Sequence, residues 1–223
     1  MTTENHYLDI YPEDYEEGKD TFRYTLGCSD FDVDSIIGGH LKDIKKGPKN
    51  PLTVLGINPN KAKENSDDTT IKKLKQLIKP NNNYDGWIMI NICPLRSGKP
   101  SDISNRSDNV LMDCSDRNLS IITELVNQYN TPAILLAFGD GLLLSNYFIE
   151  LFLKIYKQLN DIKELKWLVI DSNKTNLPLL TNEFMPRHIN SYGDFKIENV
   201  LLKDVKPYLE SLILRKMNRK LAI

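Results

Sequence analysis

Cysteine is scarce in this chain: Cys28, Cys93 and Cys114 are the three cysteines among 223 residues. They lie far apart and form no C-x-x-C pair, so the sequence offers neither a disulfide framework nor a cysteine zinc site. Scattered cysteines of this kind are typical of reduced thiols in a cytosolic protein. We therefore expect a cytoplasmic protein with no metal site and no cofactor.

Long apolar runs are also missing. No run approaches the roughly 18 residues that a membrane-spanning helix needs. Residues 1–20 are acidic, whereas a signal peptide would be basic and then apolar. The sequence therefore predicts no association with a membrane.

A net charge of −1 conceals an uneven distribution of charge. Residues 4–20 are strongly acidic, and residues 42–79 carry ten lysines against four acidic residues. A lysine surplus beside a binding site attracts phosphate groups in a salt-sensitive way. It can equally be a solvated surface, and the sequence alone leaves both interpretations open.

The length of the chain fits one domain, because single hydrophobic cores grow to about 250 residues. We expect residues 1–20 to form an acidic extension and residues 21–223 to form a single domain. Short apolar segments alternate with helical patterns, and segments that are apolar throughout are typical of strands buried on both faces. The predicted fold is therefore α/β, a three-layer α/β/α sandwich around a central, mostly parallel sheet.

The predicted strands are residues 21–26, 52–57, 87–92, 133–138 and 166–171, and the predicted helices are residues 71–78, 119–129, 142–159 and 205–221. Between them, residues 97–117 are polar and show little periodicity. Loops longer than about 12–15 residues in a compact domain are usually functional or disordered. We therefore expect this stretch to be a long loop that is either functional or disordered.

An Asn-Pro pair, Asn58-Pro59, follows the second predicted strand. It fits three interpretations: a plain turn, a metal or phosphate site, or the floor of a pocket for a nucleobase. Ligands bind beyond the carboxyl ends of strands in α/β folds, an Asn amide both donates and accepts, and Pro59 stiffens the turn. Asp68 and Thr69, shortly downstream, are predicted to begin the next helix as capping residues.

Other polar residues follow the neighbouring strands. Asn91 lies at the end of the third predicted strand, and Gly139 begins a G-x-G sequence after the fourth, which is weak support for a phosphate site. His188 lies in the segment MPRHI and is the one histidine after residue 40. Because parallel strands end at the same edge of a sheet, we expect Asn58, Asn91 and His188 to converge on one crevice.

Taken in order, the segments LGINPN, DDTT, NICPLRSGKP, AFG and MPRH resemble a family of domains of unknown function numbered 1643. That family is in turn similar to the uracil-DNA glycosylase superfamily. The resemblance covers residues 22–192 and implies a uracil-DNA glycosylase-like fold. It also implies a nucleic acid or nucleotide as the partner, with DNA expected, and a target base that is flipped out of the duplex.

The resemblance implies roles for single residues. Asn58 matches the Asn that positions the attacking water in the mismatch-specific glycosylases, and Asn91 matches the Asn that reads the edge of uracil. His188 stands where a histidine stabilises the departing base. If the protein is an active enzyme, Asn58 and His188 are its catalytic residues.

The departures from the family pattern matter as much as the matches. Asn60 replaces the Gly or Tyr that screens bases in the relatives, and Asn58 stands where the uracil-specific enzymes have Asp. The Ser-Pro-Leu of the wedge loop is absent, and losing one aligned transition-state group typically costs about 10²- to 10³-fold in rate. Arg96 and Arg187 either make the crevice cationic and suited to an anion or form ordinary surface ion pairs.

Our leading hypothesis is a uracil-DNA glycosylase-like protein that binds nucleic acid or a nucleotide in a cationic crevice, with weak or no excision of uracil. The alternative is an active glycosylase for a damaged or modified base. A third class is an interaction module that has kept only the shell of the fold. The expected ligand-binding residues are Asn91, Arg96, Asn60, Pro59, Arg187 and Gly139.

Overall fold

A computed structural model gives the fold of the chain. It describes residues 5–9, 23–28, 51–59, 68–78, 84, 86–104, 106, 109–128, 131, 133–162, 164–172, 180–191, 200–206 and 209–222.

One mixed sheet forms the centre of the structure. Its strands are β1 (Asn5–Asp9), β2 (Arg23–Cys28), β3 (Pro51–Gly56), β4 (Gly86–Asn91), β5 (Ala133–Leu136), β6 (Lys166–Ser172) and β7 (Val200–Asp204), in the spatial order β1-β2-β4-β3-β5-β6-β7. The four central strands, β4, β3, β5 and β6, run parallel to one another. The outer strands β1, β2 and β7 pair antiparallel with their neighbours. The carboxyl ends of the four central strands therefore meet at one edge of the sheet.

The central strands bury side chains on both faces of the sheet. In β3, Leu52 and Val54 belong to one hydrophobic cluster, whereas Leu55 and the following Ile57 belong to another. The side chains of β4, β5 and β6 divide between the two clusters in the same alternating way. Each face of the sheet therefore has its own hydrophobic core, which explains why these segments are apolar throughout.

Helices supply the other side of each core. The described α-helices are α1 (Thr69–Ile78), α2 (Asn109–Gln128), α3 (Asn146–Asn160) and α4 (Arg215–Leu221). Ile71, Leu74 and Leu77 of α1 recur at helical spacing and pack in the core of Leu52 and Val54. Side chains of α2, α3 and α4 pack in the other core.

Shorter helical segments connect these elements. Three 3-10 segments cover Pro100–Asp102, Gly139–Leu144 and Ile189–Ser191, and a π-helix, Leu209–Leu214, leads into α4. The first three lie in the connections that follow β4, β5 and β6. Each connection therefore carries ordered backbone at the edge of the sheet where the parallel strands end.

Aromatic rings pack between α3 and the sheet. The ring centroid of Phe152 lies 5.1 Å from that of Phe138 and 6.4 Å from that of Trp167. The ring of Tyr156 lies 5.4 Å from that of Trp167. Aromatic pairs of this kind add about 0.5–1.5 kcal/mol beyond the burial of their area. They hold Phe138, and with it the start of the Gly139–Leu144 segment, against the core.

The structure confirms the α/β class and the mostly parallel central sheet. All five predicted strands are present, with ends that shift by one or two residues. The sequence pattern does not predict β1 and β7, because a five-residue strand with one neighbour needs little apolar alternation. β1 lies within residues 1–20, the stretch expected to be an acidic extension.

The expected long loop at residues 97–117 is wrong in its second half, because α2 begins at Asn109 rather than at Leu119. The buried face of this part of α2 includes polar side chains: Ser115 and Asn118 are 4% and 1% exposed. The Ser115 hydroxyl donates to the Leu111 carbonyl, and the Asn118 amide donates to the Asn91 carbonyl at 2.8 Å. Polar residues at core positions therefore conceal the helical periodicity in the sequence.

None of the described helices is both long enough and apolar enough to cross a membrane.

Candidate functional site

Two neighbouring cavities open where the parallel strands end. The inner cavity has a volume of about 140 Å³, and its walls include Asn58, Asp68, Met89, Asn91 and His188. The outer cavity has a volume of about 510 Å³, and its walls include Gly139, Asp140, Thr181, Arg187 and, again, His188. His188 therefore lies between the two cavities.

Asn58 joins the segment that follows β3 to the segment that follows β4. Its amide nitrogen Nδ2 lies 3.0 Å from the carbonyl oxygens of Pro59 and Ser97 and 3.5 Å from that of Leu95. A carbonyl can only accept a hydrogen bond, so these contacts determine which end of the amide is the nitrogen. The oxygen Oδ1 is left as the acceptor that Asn58 can offer to a ligand or a water.

Asn91 is the last residue of β4 and is 3% exposed. Its carbonyl accepts the hydrogen bond from Asn118, and its side-chain nitrogen Nδ2 has no hydrogen-bond partner among the described residues. A methyl group added to Gly56 would lie 2.8 Å from Asn91 Oδ1. Glycine at position 56 therefore leaves the space that the Asn91 amide occupies beside the inner cavity.

His188 is held as a neutral imidazole in one tautomer. Burial lowers its pKa, while the nearby Asp68 carboxylate raises the pKa and Lys73 lowers it. Its Nδ1 accepts the backbone N–H of Asn190 at 3.1 Å, so the proton of the neutral ring is on Nε2. His188 therefore brings a hydrogen-bond donor, Nε2–H, to the boundary between the cavities.

The segment that carries His188 is fastened to the first turn of α1. The Asn190 amide donates to Thr70 Oγ1 at 3.0 Å, and Lys73 Nζ donates to the Asn190 carbonyl at 3.3 Å. Gly139 packs against His188 from the other side, since its φ is 61° and an added methyl group would lie 3.1 Å from His188 Cβ. Gly139 thus gives the imidazole room and lines the outer cavity.

Asp68 has a second role that the sequence did not predict. It caps α1 as predicted, because its Oδ1 accepts the backbone N–H of Ile71 at 2.9 Å. That interpretation of the sequence is confirmed, but Asp68 also lines the inner cavity together with Thr70. A capping residue at the helix start beside the end of β3 is the signal that could have revealed this position.

A tight turn at residues 180–186 forms one side of the outer cavity. The Thr181 N–H donates to the Met185 carbonyl, the Met185 N–H donates to Thr181 Oγ1, and Leu180 and Pro186 form an isolated bridge. The Thr181 hydroxyl donates to Asp140, which ties the turn to the segment after β5. The turn presents Phe184, which is 51% exposed and has a φ of 63°.

The structure brings together some of the predicted site residues and separates others. Asn58, Asn91 and His188 line the inner cavity, whereas Gly139 and Arg187 line the outer one. Pro59 is buried beneath the turn, and Arg96 lines neither cavity. Asn60 lies outside the described residues.

The described residues of this region provide neither a reactive thiol nor a group of metal ligands. Burial raises the pKa of the Cys93 thiol to about 12, so no thiolate nucleophile forms there at neutral pH. Cys93 and Cys114 are both buried. Within the described part of the chain, no three His, Cys, Asp or Glu side chains are grouped so that they could hold a metal ion.

The family described as "Protein of unknown function (DUF1643)" matches residues 40–179. Because this match covers more than half of the 223 residues, the chain belongs to that family. No curated protein and no solved structure matches the chain significantly.

Asn58→Asp tests the structural role of the Asn58 amide. The change replaces Nδ2 with an oxygen that faces the carbonyls of Pro59 and Ser97, and leaving buried polar groups unsatisfied costs about 1–3 kcal/mol. We expect urea denaturation at neutral pH to show a loss of this size in the free energy of unfolding. Asn146→Asp, at the exposed first residue of α3, is the control. Equal stability of Asn58→Asp and the wild type would contradict the role of Asn58.

His188→Gln tests the neutral imidazole. Below the ordinary histidine pKa of about 6.5, the unfolded chain binds a proton that the folded protein binds only at lower pH. Stability is therefore full above that value and falls as the pH drops below it. Denaturation at several pH values should show that the free energy of unfolding falls less with decreasing pH in His188→Gln than in the wild type. His6 and His40 are common to both chains, so superimposable curves would refute the lowered pKa.

Proposed function

We propose that this member of the DUF1643 family is a uracil-DNA glycosylase-like domain that binds a nucleobase of a nucleic acid or nucleotide, with weak or no excision of uracil. One observation carries the proposal: Asn58, Asn91 and His188 come from three separate segments and line one cavity. Helical side chains in both hydrophobic cores support the finer description of the fold as a three-layer α/β/α sandwich.

The inner cavity suits a single aromatic ring. A protein cavity of roughly 150 Å³ accepts benzene, and the inner cavity has about 140 Å³. Ile71, Met89 and Ala137 give it apolar walls, while Asn58, Asn91 and His188 add hydrogen-bonding groups. Apolar walls with a few polar groups are typical of small-molecule sites, and amides at the walls can read the edge of a base.

The outer cavity suits the sugar and phosphate attached to that base. Arg187, Thr181, Asn182 and Ser191 line it, and the Asp140 carboxylate accepts a hydrogen bond from Thr181. Arg187 gives this cavity a guanidinium group, which can bond phosphate in a fixed geometry. The outer cavity therefore supplies the guanidinium group of the proposed crevice, although the Asp140 carboxylate in the same wall leaves its described lining with no net formal charge.

Weak excision of uracil follows from the chemistry of position 58. An amide cannot carry the negative charge that stabilises an oxocarbenium-like sugar, and the nitrogen of Asn58 is already bonded to backbone carbonyls. Mutations that remove one such group from an active site cost about 10²- to 10³-fold in rate. A resemblance to the pseudo uracil-DNA glycosylase carried on mobile cassette chromosomes belongs to the same proposal, as do DNA as the expected partner and a cytoplasmic location.

One observation favours a second candidate, an active glycosylase for a damaged or modified base. The bond that such an enzyme breaks joins the base to the sugar, and His188 lies between the two cavities. A neutral imidazole with its proton on Nε2 can donate to the base as the base leaves with the bonding electron pair. A water molecule would then bond to the sugar carbon and lose one proton, which the departed base or the solvent takes up.

The two candidates are separated by activity on defined strands. We expect labelled oligonucleotides to bind in fluorescence anisotropy and to stay intact when they contain a single uracil opposite guanine. Rapid release of uracil that disappears in Asn58→Ala and in His188→Ala would overturn the leading proposal. Formation of abasic sites in strands that carry damaged or modified bases would establish the second candidate.

Asn91→Leu tests the recognition of the base. Leucine has nearly the shape of asparagine, and Asn118 bonds the backbone carbonyl of residue 91, which the change retains. Because Nδ2 has no partner among the described residues, we expect the thermal stability to stay the same or to rise. Nucleotide affinity measured by calorimetry should fall at least tenfold, while the exposed control Asn127→Leu binds normally. Unchanged affinity would exclude Asn91 from the site.

Phe184→Gly tests whether the partner is a strand or a free nucleotide. Glycine adopts positive φ without steric cost, so the thermal stability should stay the same or rise. Stacking of a base on an aromatic ring is worth about 1–3 kcal/mol, so affinity for a single strand should fall about 5- to 150-fold. Mononucleotide affinity should not change. The control is Leu201→Ala, since Leu201 on β7 is 57% exposed. Equal losses of single-strand affinity in both variants would show that Phe184 is not part of the binding surface.

A further inference from the structure

The inner cavity has an acidic wall. Among the described residues that line it, Asp68 is the one that carries a formal charge, because His188 is neutral. The arginines expected at the crevice lie elsewhere: Arg187 lines the outer cavity, and Arg96 lines neither. A group that enters the inner cavity therefore meets a carboxylate and no guanidinium group.

Asp68 has hydrogen-bonding capacity left after it caps α1. Its Oδ1 accepts the Ile71 N–H, and an ionised carboxylate has two oxygens with about four sites for hydrogen bonds. Every one of these sites accepts and none donates. A ligand atom beside Asp68 is therefore stabilised if it carries a hydrogen and is destabilised if it is a carbonyl oxygen.

His188 brings the opposite chemistry to the same cavity. His188 presents Nε2–H, a donor, because Nδ1 is occupied by the Asn190 N–H. The amide of Asn91 can pair with either kind of group. The cavity thus combines one strict acceptor with one strict donor, at a volume that holds one ring.

We propose, as a step that rests on the proposed function, that Asp68 selects a single-ring base with an exocyclic amino group, of the cytosine type, over uracil. The edge of a cytosine-type ring has an amino group that donates and a carbonyl that accepts. Uracil has carbonyls at both of these places, so one of them would face a carboxylate. Carboxylates pair with the cytosine amino group in DNA recognition as well.

Calorimetric titration with cytidine and uridine monophosphates tests this selection. A well-placed pair of hydrogen-bonding groups discriminates by about 1–3 kcal/mol, which corresponds to about 5- to 150-fold in affinity. We expect the wild type to bind the cytidine nucleotide at least about tenfold more tightly. Single strands with one central cytosine or uracil, measured by anisotropy, show whether the base is taken from a strand or from the free nucleotide.

Asp68→Asn is the informative variant, because Asn caps helices as well as Asp does. It should therefore keep the thermal stability of the wild type while it removes the strict acceptor. We expect the preference for cytosine to fall to about threefold or less. Asp113→Asn makes the same change of charge on the exposed face of α2 and should keep the full preference.

The outcomes distinguish this inference from the function on which it rests. If the protein binds neither the cytidine nor the uridine nucleotide, both the inference and the proposed function are overturned. If it binds both and Asn91→Leu abolishes binding, but uracil is preferred or Asp68→Asn keeps the cytosine preference, only the role of Asp68 is overturned.

Discussion

The candidate site depends on the pairing of β3 with β4 beyond the ends of both strands. The Ile92 N–H donates to the Gly56 carbonyl at 3.0 Å, and the Cys93 N–H donates to the Ile57 carbonyl at 2.7 Å. The Asn58 amide then continues the contact as far as Ser97. Two chain segments that would otherwise separate as loops are thereby held side by side. This places Asn58 and Asn91 in the same cavity, and the remaining walls of the cavity pack against these two segments.

Much of this arrangement can be predicted from sequence, and the reason is physical. A polar residue at the end of a segment that is apolar throughout is conspicuous, as Asn58 and Asn91 are, and parallel strands bring such ends together. Three other features leave no such mark. Asn118 is polar but buried at a core position of α2, Asp68 has a sufficient local role as a helix cap, and the positive φ of Phe184 is a property of the folded turn. Side chains with two roles, or with a role set by distant contacts, are hidden from sequence patterns.

The division into two cavities follows from close packing around His188. Gly139 and Gly141 let the segment after β5 approach His188 and Ile57 closely. A methyl group added to Gly139 would lie 3.1 Å from His188 Cβ, and one added to Gly141 would lie 2.4 Å from Ile57 Cδ1. The imidazole is bounded by this segment on one side and by α1, through Asn190, on the other. Its tautomer is set by a backbone N–H. A ring held in this way keeps its donor at a constant position, which is the requirement for recognition or catalysis by hydrogen bonding.

The polarity at the end of β4 argues for a ligand independently of any family resemblance. Asn91 and Asn118 are almost fully buried, and their bond through the Asn91 carbonyl uses one group of each. Asn91 Nδ2 and Asn118 Oδ1 lack hydrogen-bond partners among the described residues. Each unpaired buried group costs about 1–3 kcal/mol. Asn118 offsets this cost because its amide donates to the carbonyls of Asn91 and Ile92, whereas an apolar side chain of the same shape at position 91 would avoid the cost. A module that kept only the shell of the fold would gain nothing from the Asn91 amide, whereas a protein that reads the edge of a base needs a donor and an acceptor at this place.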